Sequence, residues 1–276
     1  MRIKLIYILL YSISLIPLKL LYLISNILYV FNNYIFKYRL HIARYNIKSA
    51  FPLLSQKKTG KLLYEFYQHF FYIILEIIKS MSFTKNDLIN RIQIHNEDII
   101  IRLINTRKPI VLIGAHYQNW EWLLLRIGLI KNIKLSAVYK PLSNTFLDKI
   151  LFKMRTKFGA KLIPLKKWKY FILDKKNKPY TFLFISDQVP EDKKNGTRIN
   201  FLNQSTLFHK GAEKTTKLLN AAVLYVEMNK LKKGYYTIEF KEIKSDNITE
   251  EYANLLELTI KKDPTAWLWS HNRWKR

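Results

Sequence analysis

IVLIGAHYQNWEWLLLRIGL, residues 110–129, reads as a buried strand, a short turn and a helix. An unbroken apolar run from Ile110 to Ile113 leads through Gly114 and Ala115 to His116. Asn119 stands where an N-cap would satisfy exposed backbone donors. Glu121 then falls in the first helical turn, where the helix dipole favours a carboxylate. The turn between them can fold back, so that the Glu121 carboxylate reaches one imidazole nitrogen of His116. The other nitrogen is then left to take a proton from a hydroxyl. No serine or cysteine stands close by in sequence, so direct attack by a substrate hydroxyl suits the stretch better than a covalent intermediate. The plain alternative is a histidine that ends a strand and a glutamate placed by the dipole alone.

The same alternation continues outward. Further strand-like runs cover 133–139, 161–165, 180–186, 222–228 and 235–240, and the run around His116 begins at 109. Helical runs lie at 119–130, 144–158, 167–176, 210–220 and 248–262. This pattern predicts an α/β fold, a sheet with helices on its faces. The last two strands adjoin through KLKKG, so the sheet is expected to be mixed. The α/β core is expected over 108–276, preceded by a helical basic segment over 37–107 and an apolar segment over 1–36.

That first segment holds Arg2, Lys4 and Lys19 and no acidic residue. Its run LIYILLYSISLIPLKLLYLISNILYVF is long enough to cross a bilayer, which takes about 20 apolar residues. Pro17 and Lys19 interrupt it, so two shorter interfacial helices are the other reading. A secretory signal fits poorly, since no small-residue cleavage site follows. A buried hairpin of helices remains open, but hydropathy and flanking positive charge favour a membrane anchor. Basic residues then run from Lys37 to Lys61 before Glu65, the first acidic residue of the chain. Such a collar favours the cytoplasmic side against anionic headgroups, or is a solvated face of a Lys-rich protein.

Three other stretches offer polar groups. In FLFISDQVPEDKKNGTRINFLNQSTLFHKGAEKT, residues 182–215, Asp187 and Gln188 follow a strand end, where a crevice should lie. Gly196 and Gly211 are read as permitting tight turns in a basic loop, and an ordinary surface loop is the alternative. In YKPLSNTFLDKILFKMRTKFGAKLIPLKK, residues 139–167, Lys140 follows a strand as His116 does, and Arg155 sits on the next helix. Either cation could bind a phosphate or steady a developing oxyanion, or simply be solvated. The tail PTAWLWSHNRWKR is read as aromatic packing.

Lys and Arg number 47 against 20 acidic residues, a net charge of +27. Nucleic acid, an anionic membrane and an acidic protein carrier are the candidate partners. The charge is spread along the chain and no nucleic-acid-binding module is visible, so nucleic acid is not expected. There is no cysteine, which excludes disulfides and thiolate chemistry. The six histidines, His41, His69, His95, His116, His209 and His271, show no helical ligand spacing, so no metal site is expected. His69 is expected to be a packed or surface residue.

Taken in order, the apolar N-terminus, GAHYQNWEW, VYKPLSN, MRTKFGAKLIP, SDQVP, GTRINFLNQSTLFHKGAEKTTKLLNAAV and PTAWLWSHNRWK resemble the bacterial lipid A biosynthesis (late, or secondary) acyltransferases of the lysophospholipid acyltransferase superfamily. The resemblance implies transfer of a fatty acyl chain from acyl-carrier protein to a hydroxyl of a lipid A precursor, at the cytoplasmic face of the inner membrane, with no cofactor. It makes His116 the general base and Glu121 its charge-relay partner, with Asp187, Arg155 and Lys140 as supporting, substrate-binding residues. Two positions depart from the family pattern: Gln118 stands where glycine is common, and Lys140 where arginine is common. Lysine keeps the charge and loses the bidentate fork. Another glycolipid, an aminolipid or a lysophospholipid as acceptor, or a non-catalytic basic membrane-binding protein, are the rival readings.

Overall fold

The computed structural model describes residues 2–174, 180–190 and 192–274. Its centre is a seven-stranded sheet in the order β1-β9-β8-β2-β5-β3-β4. The strands are β1 (Ile92–Ile94), β2 (Ile110–Gly114), β3 (Leu135–Tyr139), β4 (Lys161–Pro164), β5 (Thr181–Ile185), β8 (Ala222–Lys232) and β9 (Tyr235–Glu242). All neighbours pair parallel except β8 and β9, which form an antiparallel hairpin. The sheet is therefore mixed, and the turn KLKKG is where the direction reverses.

The central strands read as unbroken apolar runs because both of their faces are covered. Val111 and Ile113, Phe182 and Phe184, and Val223 and Tyr225 point into one core. Ile110 and Leu112, Leu183, and Leu224 and Val226 point into the other. This is the two-residue period of a pleated strand, filled on both sides. The first core is closed by α3 (Leu40–Ala50), α10 (Gly211–Leu219) and α11 (Ile248–Lys262). The second is closed by α2 (Leu18–Phe31), α5 (Lys85–Arg91), α6 (Glu97–Asn105) and α7 (Trp120–Ile127). The long α4 (Gln56–Lys79) gives Phe66 and Tyr67 to the first and Ile73 and Leu75 to the second.

Several expectations need correction. Segment 37–107 is not wholly helical: β1 lies within it and pairs with β9 as an edge of the sheet. The expected basic loop after β5 contains β6 (Gly196–Phe201) and β7 (Gln204–His209), a separate antiparallel hairpin. The tight turn there is made by Leu202 and Asn203, both left-handed at φ 50° and 61°. That is the two-residue hairpin turn whose twist matches the strands. Gly196 makes no turn. It starts β6, and a Cβ there would stand 2.7 Å from the Leu207 side chain. Gly211 begins α10.

The apolar N-terminus forms α1 (Arg2–Leu15) and α2, each of 14 residues, bent by 116° at Pro17. Among the described residues no single helix is long and apolar enough to cross a membrane, although this bent pair has the length and composition together. Pro17 has no N–H to continue the helix, which accounts for the break.

Below α2, Glu76 is 1% exposed and joins three elements. Tyr22 Oη of α2 and Tyr236 Oη of β9 each donate to it at 2.6 Å, and Asn119 Nδ2 donates at 2.8 Å. Burial raises its carboxyl above the ordinary value, against the lowering effect of these bonds. Glu76→Ala should leave buried donors without an acceptor, at about 1–3 kcal/mol each. Thermal melting should show a large fall for Glu76→Ala and a smaller one for Glu76→Gln, which keeps an acceptor. Equal melting of the alanine variant and the parent would refute this account.

Candidate active site

Three polar residues leave the sheet at the same edge. His116 lies two residues beyond the end of β2, Asp187 two beyond β5 and Lys140 one beyond β3. Strands β2 and β5 are neighbours in register, with Gly114 beside Ile185. Equal overhang on adjacent strands brings His116 and Asp187 together. Crevices of open α/β sheets form at this carboxyl edge, and here it opens into a cavity of about 620 Å³.

Asp187 Oδ1 lies 2.7 Å from His116 Nδ1. Its other oxygen, Oδ2, accepts from Trp267 Nε1 at 2.9 Å. Burial alone would push this carboxyl up. The His116 charge and hydrogen bond, with the Trp267 indole, outweigh burial and hold it at about 2. An ionised Asp187 can only accept, so Nδ1 of His116 carries the proton. In the neutral ring Nε2 is then the lone-pair acceptor, and the Gln188 amide stands 3.3 Å from it. The ring is one-fifth exposed and lines the cavity.

Glu121 does not reach the imidazole as the spacing suggested. Its oxygens accept from Arg155, Nε at 2.8 Å and Nη2 at 2.5 Å, and from Trp120 Nε1 at 3.2 Å. The reason is geometric. Glu121 opens α7, and Arg155 closes α8 (Thr145–Arg155), which packs against it. The forked guanidinium meets the carboxylate at two points. Burial raises Glu121, but Arg155, with lesser help from His116 and Trp120, brings it below the ordinary carboxylate value. Arg155 shows the mirror effect: burial lowers it, and Glu121 carries it above its usual value. His116, Glu121, Arg155 and Lys140 all line the one cavity, with Lys140 followed by Pro141 and Leu142 at the mouth. Asp187 lies behind His116, 3% exposed.

The turn between His116 and Glu121 is held from outside. Gln118 adopts φ 49°, a left-handed conformation that suits glycine. Its backbone N–H donates to Ala266 O at 3.0 Å, and its side-chain Nε2 to Asp263 Oδ2 at 3.1 Å. Leu268 N donates to His116 O at 3.1 Å, and Tyr117 bridges Trp267 in antiparallel fashion. Asn119 caps α7, its Oδ1 accepting from Trp122 N at 3.0 Å. Segment 263–268, expected only to pack, is thus a strap across the turn and also supplies the indole that fixes Asp187. Sequence offered aromatic residues there, but no sign of which polar atom Trp267 would meet.

One part of the remaining cavity wall is apolar, with Leu124, Ala137, Leu162, Leu165, Trp168 and Leu183, and Ser143, Ser186 and Asn272 add polar groups elsewhere. His209 and His271 also line it. Burial lowers His271 to about 4, so near neutrality its ring is uncharged. His69 does not line this cavity; it is packed in α4 and lowered by burial to about 3. Among the described residues no three His or carboxylate side chains gather as metal ligands.

His116 thus faces the cavity beside the buried Glu121–Arg155 pair. A family model described as bacterial lipid A biosynthesis acyltransferase matches residues 2–276. The chain belongs to that family, an acyltransferase family whose substrate is a lipid A precursor. No individually curated protein matches the chain.

Two outcomes follow from the turn and the carboxylate. Gln118→Gly should keep the turn, whereas Gln118→Val should lose about 1 kcal/mol with the bond to Asp263 and more through a β-branch at a left-handed residue, measured by denaturant unfolding. Asp187 sits at about 2 when folded against an ordinary 3.8. Its contribution to stability is therefore present above 3.8 and lost as pH falls towards 2. Asp187→Asn should flatten the acid limb of the stability profile in that window, and an unchanged limb would contradict the assigned charge.

Proposed function

We propose that the chain transfers a fatty acyl group from the thioester of acyl-carrier protein to a hydroxyl of a lipid A precursor, with His116 as general base. The observation that carries this reading is the His116 ring, fixed through Nδ1 by ionised Asp187 with Nε2 turned to the cavity. The acceptor hydroxyl takes the place of the Gln188 amide at Nε2 and gives up its proton there. Its oxygen attacks the thioester carbonyl, and the carbon–sulfur bond breaks as the tetrahedral intermediate collapses. The imidazolium returns the proton to the departing thiolate, leaving an ester and a thiol. Asp187 stabilises the imidazolium while it exists.

Glu121 serves this reaction through Arg155. Its two bonds engage Nε and Nη2 and place the guanidinium at the cavity wall, while Nη1 takes no part in them. A cation so held steadies the negative oxygen of the intermediate. The apolar wall receives the acyl chain. The net charge of +27 suits both an acidic carrier protein and a phosphorylated acceptor in an anionic inner membrane, approached from its cytoplasmic face.

Purified His116→Ala should fold and bind membranes yet show no transfer from acyl-carrier-protein thioesters to a lipid A precursor, and Glu121→Gln, which keeps the side-chain shape and an acceptor beside Arg155, should fold with transfer much reduced. Near-normal turnover by both would sink the mechanism. Asp187→Asn should lower kcat by roughly 10²–10⁴-fold with a smaller change in KM, read from initial rates.

A further inference from the structure

A second cavity, of about 380 Å³, shares no lining residue with the catalytic one. Its walls come from α4, from the β8–β9 hairpin and from the strap: α4 gives Gln68 and His69, the hairpin gives Lys230 and Tyr236, and the strap gives Thr265. A volume of this order is that of a small-ligand site. Glu76 also lines it, but its oxygens are taken by Tyr22, Tyr236 and Asn119.

His69 is the first sign of a ligand. It is 6% exposed, and its Nε2 has no hydrogen-bond partner among the described residues. Buried polar atoms are nearly always paired, so an orphan on a cavity wall has a missing partner to account for. Burial first, and the Lys230 ammonium second, push this imidazole down to about 3. Near neutrality the ring is therefore uncharged and carries one N–H to donate. An anion reached by Nε2 and by Lys230 satisfies both.

Two ammonium groups stand at this cavity. Lys230 lies opposite Tyr236 in the β8–β9 ladder, and the register shifts directly after it, between Lys230 and Lys232. Such an irregularity re-aims the side chains beside it. Lys230 makes no side-chain hydrogen bond or ion pair among the described residues. Lys233 is held in place: its Nζ donates to Tyr72 Oη at 2.9 Å and stands 4.1 Å from the Tyr72 ring centroid, and Tyr72 Oη donates in turn to Asn26 Oδ1. An ammonium has three donors, so two of those on Lys233 remain. The other carboxylate of the wall, Glu65, has Lys61 3.8 Å away on the same helix.

We infer that this cavity is a second binding site, for a phosphate group, with Lys230 and Lys233 meeting its charge and the His69 imidazole and the Gln68 amide donating to its oxygens. Two ammonium groups, an imidazole and an amide outnumber the two oxygens of a carboxylate and suit the tetrahedral set of a phosphate. The chemistry is the same for a free phosphate and for one borne on a lipid headgroup. The site stands apart from the acyl-transfer reading, yet it backs onto supports of the catalytic turn. Thr265 Oγ1 donates to Asp263 Oδ1 at 2.6 Å, and the other oxygen of Asp263 accepts from Gln118. Glu76 likewise accepts from Asn119, at the far end of the same turn.

The full chain, in detergent micelles and with isotope-labelled histidine, is titrated with inorganic phosphate and, separately, with monomeric dihexanoyl phosphatidylglycerol, while the imidazole signals are followed by NMR. The signal missing from His69→Phe is that of His69, and it should move saturably with at least one of the two probes. Movement with inorganic phosphate assigns a free anion, and movement with the lipid alone assigns a headgroup; either supports the site. Lys230→Met with Lys233→Met should weaken the binding at least about tenfold, whereas Lys140→Met, at the catalytic cavity, should leave it within about twofold. The probe that binds should raise the melting temperature of the parent and not that of the double variant. Without a probe the two should melt alike, which shows that the lysines are not needed for folding. A His69 signal unmoved by both probes would leave the cavity to water and overturn the site. Movement that survives in the double variant and disappears in Lys140→Met would place the phosphate in the catalytic cavity and overturn it too.

Discussion

The hydrogen bond from His116 to Asp187 depends on two strands ending level. β2 and β5 are hydrogen-bonded neighbours, and each extends by two residues past its last paired position before the side chain that matters. A slip of one residue in either strand would turn one of the pair into the core. The apolar faces that fix this register are Val111 and Ile113 with Phe182 and Phe184 on one side, and Leu112 with Leu183 on the other. Packing of the sheet faces, from the core up to Leu183 and Phe184 at the cavity wall, thus sets the position of a proton-carrying nitrogen within it.

Charge in the site is divided between two pairs with different jobs. Asp187 meets an imidazole, whose charge can come and go. Glu121 meets a guanidinium, whose charge is permanent. Both carboxylates are buried, and both are kept ionised against burial by a partner that would suffer if they were removed. Breaking such a pair from one side leaves an uncompensated buried charge, so these positions join structure and chemistry too closely to be separated by deletion alone.

Much of the sheet was legible because its physics is local. The runs 109–115, 180–186 and 222–228 are apolar without interruption, and each is a central strand covered on both faces. Helix α7 could be read from Asn119 and Glu121, whose positions obey rules acting within one turn. What sequence did not show is adjacency. Nothing in the order of the runs states that β5 lies beside β2, so the spacing of His116 and Glu121 offered the nearer carboxylate as the partner and the more distant Asp187 took that place. The hairpin β6–β7 was hidden for a related reason: its turn residues, Leu202 and Asn203, lack the usual glycine. Gln118 also sits in a glycine-like conformation, held by bonds to a segment some 145 residues away.

Glu76 makes the seat of α2 a polar one. Its carboxyl, raised by burial above its ordinary value, holds Tyr22 of α2, Tyr236 of β9 and Asn119 of the turn beside His116 at one point. Lifting α2 would uncover that cluster as well as apolar surface. The same asparagine caps α7, so the N-terminal pair and the turn that carries His116 rest on a shared buried support.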